Sequence, residues 1–225
     1  MSTTERGRGS FITFEGMDGC GKTTQMTLLA RTLRETGYGV LESYEPGGTP
    51  IGTQVRRILL DSANQELCPT AELLLYFACR AQNVEQAILP ALSEGKIVLS
   101  DRFTDSTLAY QGVGRGLGKE VVLALDAIAS RGLVPDLTVL IDIDLETSLS
   151  RAHSRNRELS GKSAFAETRM DDQAVEFHRR VHDAYAELAA AEPRRFEVID
   201  GRRAIQAVFE DVWRAVAKRI GSPHV

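Results

Sequence analysis

Phe11-Ile-Thr-Phe-Glu-Gly-Met-Asp-Gly-Cys-Gly-Lys-Thr-Thr24 joins a short apolar run of strand character to a loop, Gly16 to Thr23, of the pattern GxxxxGK[ST]. Helix-forming sequence follows at once, from Gln25 to Leu33, with Leu28, Leu29 and Leu33 on one stripe. Strand, glycine-rich loop and helix thus come in the order that phosphate binding needs. The glycines let the backbone take positive φ, so that several N–H groups converge on phosphate oxygens. The helix N-terminus adds partial positive charge, Lys22 a full charge, and Thr23 a hydroxyl suited to Mg²⁺. Gly16, Met17, Asp18, Gly19, Cys20, Gly21, Lys22, Thr23 and Thr24 are therefore expected to cradle a nucleoside triphosphate.

Outward from this loop the chain alternates between strand and helix patterns. Val40–Tyr44 reads as a strand ending at Glu45-Pro46-Gly47-Gly48, and Pro50–Leu60 as a helix with Ile51, Val55, Ile58 and Leu59 on one face. A long helix is predicted from Thr70 to about Leu92, passing Pro90, and Lys96–Asp101 fits a buried parallel strand with polar residues at its carboxyl end. Helix from Asp105 to about Tyr110, a glycine-rich link Gly112–Gly118, helix at Glu120–Ser130 and strand Leu137–Asp142 follow. Leu145 to about His153 reads as helix and Ser154–Asp172 as a polar, Arg-rich stretch. Helix Gln173–Glu192, strand Phe196–Ile199 and helix Ala204–Ile220 close the pattern. The fold class expected is α/β: a doubly wound, five-stranded parallel sheet flanked by helices, in a single unit over 11–221 behind a loose tail at 1–10. Ligands of such sheets gather at the carboxyl ends of the strands, where Glu45, Asp101, Arg102 and Asp142 also fall.

Composition narrows the field. A net charge of −4 recommends neither a nucleic acid nor an anionic membrane as partner. Cys20, Cys68 and Cys79 lack metal-type spacing, and no apolar run approaches the roughly 18 residues of a membrane span. The expectation is a soluble, reduced, cytoplasmic protein. Cys20, at a helix N-terminus beside Lys22, is expected to have a lowered thiol pKa.

A switch GTPase would carry Asn-Lys-x-Asp, which is missing, and a motor-type ATPase a strand ending Asp-Glu, whereas strands here end Asp101-Arg102 and Asp142-Ile143-Asp144. Arginines instead stand near strand ends and beyond: Arg56, Arg80, Arg102, Arg151, Arg155 and Arg157. Guanidinium forks match phosphate oxygens bidentately, as phosphoryl transfer between two small molecules requires.

Leu99-Ser-Asp-Arg-Phe-Thr-Asp-Ser-Thr-Leu-Ala-Tyr-Gln111 resembles the signature of thymidylate kinases, and Glu45-Pro-Gly-Gly-Thr49 and Phe77-x-x-Arg80-Ala-Gln follow that family's order and spacing. The resemblance is to the bacterial type with lid arginines. It implies the fold of the P-loop nucleoside monophosphate kinases and transfer of the γ-phosphate of ATP to dTMP with Mg²⁺, feeding dTTP synthesis, in a homodimer. It implies that Phe77 stacks on thymine and Arg80 bonds its edge, that Arg56 and Arg102 clamp the acceptor phosphate, and that Asp18 meets the 3′-hydroxyl. Tyr110 would crowd the 2′ position, Gln111 would lie near sugar or base, and Ser106 and Thr107 would offer polar contacts to the base. Glu45 would order the acceptor loop, while Thr23 and Asp101 would hold Mg²⁺. Residues 151–172 would form a lid, with Arg151 against adenine, Arg155 and Arg157 meeting transition-state charge, and Arg169 with Asp171 closing it. One branch of the family has an Arg inside the P-loop where this chain has Gly19. The rival readings are a kinase for another deoxynucleotide and an ATP-binding regulatory protein without transfer.

Overall fold

The computed structural model describes residues 8–159 and 167–220, with only the backbone of Arg155, Glu158 and Leu159. Five parallel strands, β1 (Phe11–Glu15), β2 (Val40–Tyr44), β3 (Ile97–Asp101), β4 (Leu137–Asp142) and β5 (Phe196–Asp200), lie in the order β2-β3-β1-β4-β5. Strand β1 sits at the centre, with Thr13 opposite Ser100 of β3 and Thr138 of β4.

Alternation along β1 separates two layers. Ile12 and Phe14 face α1 (Lys22–Glu35) and α9 (Ile205–Ile220), packing on Met26, Leu29, Leu33, Val208, Val212 and Val216. Phe11, Thr13 and Glu15 face the other way. Phe11 enters an apolar cluster with Ile88, Leu92 and Phe103, while Thr13 and Glu15 bring polar groups into the interior. Each buried side chain such as Leu29 or Leu33 contributes roughly 1.5–3 kcal/mol.

Helix α2 (Pro50–Leu60) begins where Thr49 Oγ1 accepts from Gly52 N at 2.9 Å, with Pro50 in the first turn. Helix α3 (Pro69–Asn83) continues through a π-turn at Val84–Ile88 into α4 (Leu89–Ser93), so the expected long helix is continuous past Pro90. Helix α5 (Thr104–Thr107) also widens, into a π-helical stretch Leu108–Gly114. The expected glycine link from Gly112 is therefore helical as far as Gly114. The cause is close packing: a Cβ on Gly114 would lie 2.7 Å from Phe177 Cε2. Helix α6 (Lys119–Ala129) follows. Helix α7 (Leu145–Leu159) runs six residues beyond the expected end at His153, because the polar residues there still favour helix. Helix α8 (Val175–Ala191) lays Phe177, Val181, Ala184, Tyr185 and Leu188 onto the layer holding Phe77 and Tyr110. Of the expected tail, residues 1–7 lie outside the described residues, as do 160–166 of the expected lid.

Candidate active site

The loop after β1 turns on Gly16 (φ 131°), Gly19 (φ 77°) and Gly21 (φ 101°), and α1 begins with no side-chain cap. No N-cap side chain thus competes with an anion for the N–H groups of its first turn. A Cβ on Gly21 would meet nothing within 4 Å, whereas one on Gly16 would lie 2.4 Å from the Ile141 carbonyl oxygen. Lys22 Nζ donates to the carbonyls of Gly16 (3.0 Å) and Met17 (2.9 Å), which holds the ammonium across the loop mouth. Thr24 is exposed on the first turn, and Met17 is buried against the acceptor-side layer.

Cys20 is corrected by the structure. Its thiol is buried and packs in the core; burial pushes its pKa up, and Lys22 does not offset this. The expected lowered pKa does not occur.

Thr23 Oγ1 donates to Asp101 Oδ2 at 2.5 Å, joining P-loop and β3 end. These are hard oxygen donors beside a phosphate loop, and Mg²⁺ takes one or two such protein oxygens with phosphate and water completing its octahedron. The pair fits that ion.

Next to it, Arg102 adopts φ 72°, a left-handed conformation, while its N–H donates to the Phe14 carbonyl at 2.9 Å. Its Nη1 donates to Gly16 O (3.2 Å), Ser106 Oγ (2.9 Å) and Tyr185 OH (3.1 Å), and its Nη2 to Asp18 Oδ1 (2.8 Å) and Tyr110 OH (3.2 Å). Tyr110 in turn donates to Asp18 Oδ2 at 2.9 Å. Burial opposes the charge on Arg102, but Tyr110, Asp18 and Tyr185 around it more than compensate and keep it protonated. Burial likewise lifts the Tyr110 phenol well above its usual range. Asp18, Arg102, Ser106 and Tyr110 thus form one constellation.

Phe77 and Arg80 share a face of α3 as expected. Arg80 is 1% exposed, with its guanidinium 5.0 Å from the Phe77 ring centroid and 4.8 Å from that of Phe103. Its Nε donates to Glu45 Oε2 (2.8 Å), its Nη1 to Asp126 Oδ1 (3.2 Å) and its Nη2 to Thr107 Oγ1 (2.8 Å). Asn83 Nδ2 adds a bond to Glu45 Oε1 at 3.3 Å. The hydroxyls of Ser106 and Thr107 are therefore directed at Arg102 and Arg80.

Other expected residues lie elsewhere. Gln111 donates to Glu72 Oε1 at 2.8 Å, sharing that buried carboxylate with Arg115 and with Arg169, whose Nη2 is 2.7 Å from it. Arg169 thus turns to Glu72, while Asp171 accepts from Asn156 at 2.8 Å. Arg56 is held by Glu167 through Nε (3.0 Å) and Nη2 (2.7 Å) and donates to the Pro46 carbonyl at 2.9 Å. Arg151 is exposed beside the P-loop, where Ser148 Oγ donates to the Asp18 carbonyl at 2.6 Å. Arg157 bonds Ser154 at 3.1 Å on exposed α7, and the side chain of Arg155 lies outside the described residues.

Sequence reasoning missed Glu15, Tyr185, Glu72 and Glu167. A carboxylate closing an otherwise apolar central strand is a signal for Glu15; Tyr185 merges into the apolar stripe of α8 and gives none.

The family model described as thymidylate kinase matches residues 14–212. The chain is 49% identical to a thymidylate kinase of Geotalea uraniireducens over 94% of this chain and 98% of that one. It is 50% identical to a thymidylate kinase of Pelobacter propionicus over 91% and 92%. A solved thymidylate kinase from Ehrlichia chaffeensis superposes with a TM-score of 0.74 at 34% identity, covering 93% of this chain and 98% of that one.

Proposed function

This chain belongs to the thymidylate kinase family, and on that premise we propose that it phosphorylates dTMP to dTDP with ATP, in the supply of DNA precursors. The observation that carries the reading is the Asp18–Arg102–Tyr110 constellation built directly onto the P-loop. Donor and acceptor phosphates then meet on one side of β1 and β3. In-line transfer needs little covalent help from the protein, so positioning and charge neutralisation carry the rate.

In this reading the loop N–H groups and Lys22 hold the donor phosphates, Lys22 exchanging its loop carbonyls for phosphate oxygens. Arg102 presents its fork to the acceptor phosphate, with Arg56 as a second cation once Glu167 yields. Thr23 and Asp101 hold Mg²⁺, which supplies neutralisation of phosphate charge when bound. Phe77 and Arg80 face the base, Tyr110 excludes a 2′-hydroxyl, and Asp18 orients the sugar. Glu45 acts through Arg80, keeping its guanidinium in one orientation. Arg151, Arg155 and Arg157 on α7 serve the donor side, and residues 151–172 close over it. Gln111 acts from the Glu72 cluster.

The chain is further proposed to work as a homodimer. Leu74 of α3 and Leu123 and Ile128 of α6 are 52%, 52% and 77% exposed, and these helices pack side by side. Such an apolar face suits a second copy. Among the described residues no helix is long and apolar enough to cross a membrane, in keeping with the proposed cytoplasmic site of action.

The test is ADP release with Mg-ATP and dTMP, dUMP, ribo-TMP, dCMP or dGMP in turn. A strong response to dTMP, a weaker one to dUMP and a weak one to the ribonucleotide are expected. A flat response across all five would refute the acceptor assignment.

A further inference from the structure

Glu15 closes β1 and is completely buried, with its carboxylate bonded to protein groups on both oxygens. Its Oε1 accepts from the Phe103 N–H at 2.8 Å. Its Oε2 accepts from Ser106 Oγ at 2.5 Å and from Tyr185 OH at 2.9 Å. Those same two hydroxyl oxygens accept from Arg102 Nη1, at 2.9 and 3.1 Å. Each hydroxyl has one proton to give. While both give theirs to Glu15, both keep lone pairs turned to Arg102, and the guanidinium is gripped from beneath by two oriented acceptors.

We infer that Glu15 is a positioning residue for acceptor binding, setting the proton direction of Ser106 and Tyr185 and through them the orientation of the Arg102 fork. The inference rests on the proposed dTMP kinase activity and deepens it: a carboxylate that never meets substrate decides how well the acceptor phosphate is received. The arrangement joins four elements, since Glu15 comes from β1, Arg102 from the end of β3, Ser106 from α5 and Tyr185 from α8.

The grip depends on an ionised Glu15. A proton on Oε2 would compete with Ser106 and Tyr185 for that oxygen. It would send a hydroxyl proton to the other hydroxyl, 2.8 Å away, or back toward Arg102. Either outcome disturbs the pair of oriented acceptors. Burial, and then the charge of Asp105, push the Glu15 carboxyl up to about 7, against the pull of Arg102 and of the bonds from Ser106 and Phe103. Of the other ionisable groups around it, Asp105 is paired with Arg195 (2.6 Å) and Asp18 with Arg102 (2.8 Å), and burial keeps the phenols of Tyr110 and Tyr185 neutral. The orientation of Arg102 is therefore sensitive to pH near neutrality through this one group.

The experiment compares wild type with Glu15→Gln, Tyr185→Phe and Ser106→Ala, measuring kcat and the KM values for dTMP and ATP across pH. Glu15→Gln is expected to lower kcat/KM for dTMP about 10–100-fold at pH 8 with KM for ATP changed less than about twofold. In wild type, kcat/KM for dTMP should fall on the acid side with a midpoint near 7. The substrate phosphate also titrates, near about 6, but equally in every variant, so the wild-type-minus-variant difference isolates the enzyme. In Glu15→Gln the limb near 7 should vanish, leaving the substrate's own.

Because Glu15 is buried, Tyr185→Phe provides a second handle that removes a single hydroxyl. It should cost about 3–10-fold in the same parameter, with some loss of thermal stability from the buried partners left unpaired but a folded protein at the assay temperature. Superimposable pH profiles for wild type and Glu15→Gln would overturn the inference. So would Tyr185→Phe and Ser106→Ala both at wild-type kcat/KM, or equal losses for dTMP and ATP. Wild-type enzyme without dTMP-dependent turnover would overturn the kinase reading itself, and this inference with it.

Discussion

Arg102 and Arg56 are both assigned to the acceptor phosphate, and the protein holds them in opposite ways. Arg102 is fixed from inside: five side-chain bonds and a strained backbone hold its fork in one orientation. Arg56 is fixed from outside, by the half-exposed carboxylate of Glu167 (side chain 37% exposed) and the Pro46 carbonyl. Both forks carry a carboxylate, Asp18 on Arg102 and Glu167 on Arg56. The inner arginine is anchored on several elements besides, whereas the outer one is held mainly by an anion that a phosphate can replace. The contrast divides binding into a rigid half, where geometry is settled in folding, and an exchangeable half, where it is settled on arrival of the ligand.

Four measurements break or sharpen this contrast. Arg102→Met should lower kcat/KM for dTMP by about 10³-fold or more, roughly 4 kcal/mol, since a preorganised donor array is lost. A loss below tenfold would mean the rigid half is not where the rate is made. Next in size is the stability cost of the rigid half. A buried carboxyl whose folded pKa is raised from 4.5 to about 7 adds stability at low pH and loses it as pH climbs through that window. Between about pH 5 and pH 8, Glu15→Gln should therefore gain about 2.5 kcal/mol relative to wild type, read by denaturant unfolding at each pH. A constant difference across pH would show Glu15 does not titrate there. Arg56→Met should cost about 10–100-fold, mostly in KM for dTMP, and the loss should shrink in high salt, where an exposed charge is screened. The smallest effect is expected for Glu167→Gln. Exposed ion pairs are worth about 0–1 kcal/mol, so removing the competing anion should tighten dTMP binding about two- to fivefold by calorimetry. Weaker binding would mean Glu167 supports Arg56 rather than competing for it.

Much of the fold is legible in the amino-acid sequence, and for definite reasons. Strands β2 and β4 and helix α2 fall at their expected limits because glycines, Pro50 and strand-end acids mark them locally. The differences come from contacts the sequence does not announce. The helical turn continues from α5 through Gly114, where Phe177 of α8 packs closely, and α7 continues because polar residues favour helix as readily as loop. The phosphate loop is legible through its glycine spacing, and Asp18, Arg102 and Tyr110 through the resemblance of Leu99–Gln111 and the loop to a known family. The layer beneath them is not. Glu15, Tyr185 and Glu72 act on arginines 43 to 97 residues away, and no local pattern encodes partners at that range. Cys20 misleads for a related reason: a helix N-terminus and a lysine favour a thiolate, but only burial, invisible in sequence, decides the balance.

Gly19 also bears on how this enzyme could evolve. A Cβ there would lie 2.9 Å from both the Ser148 carbonyl oxygen and Arg151 Cβ of α7, and the residue holds φ 77°. An arginine at that position, the solution of the other branch of the family, therefore cannot arrive by one substitution while α7 stays where it is. The helix that carries Arg151, Arg155 and Arg157 is itself the obstacle to an arginine in the loop. A side chain at position 19 requires α7 to shift first.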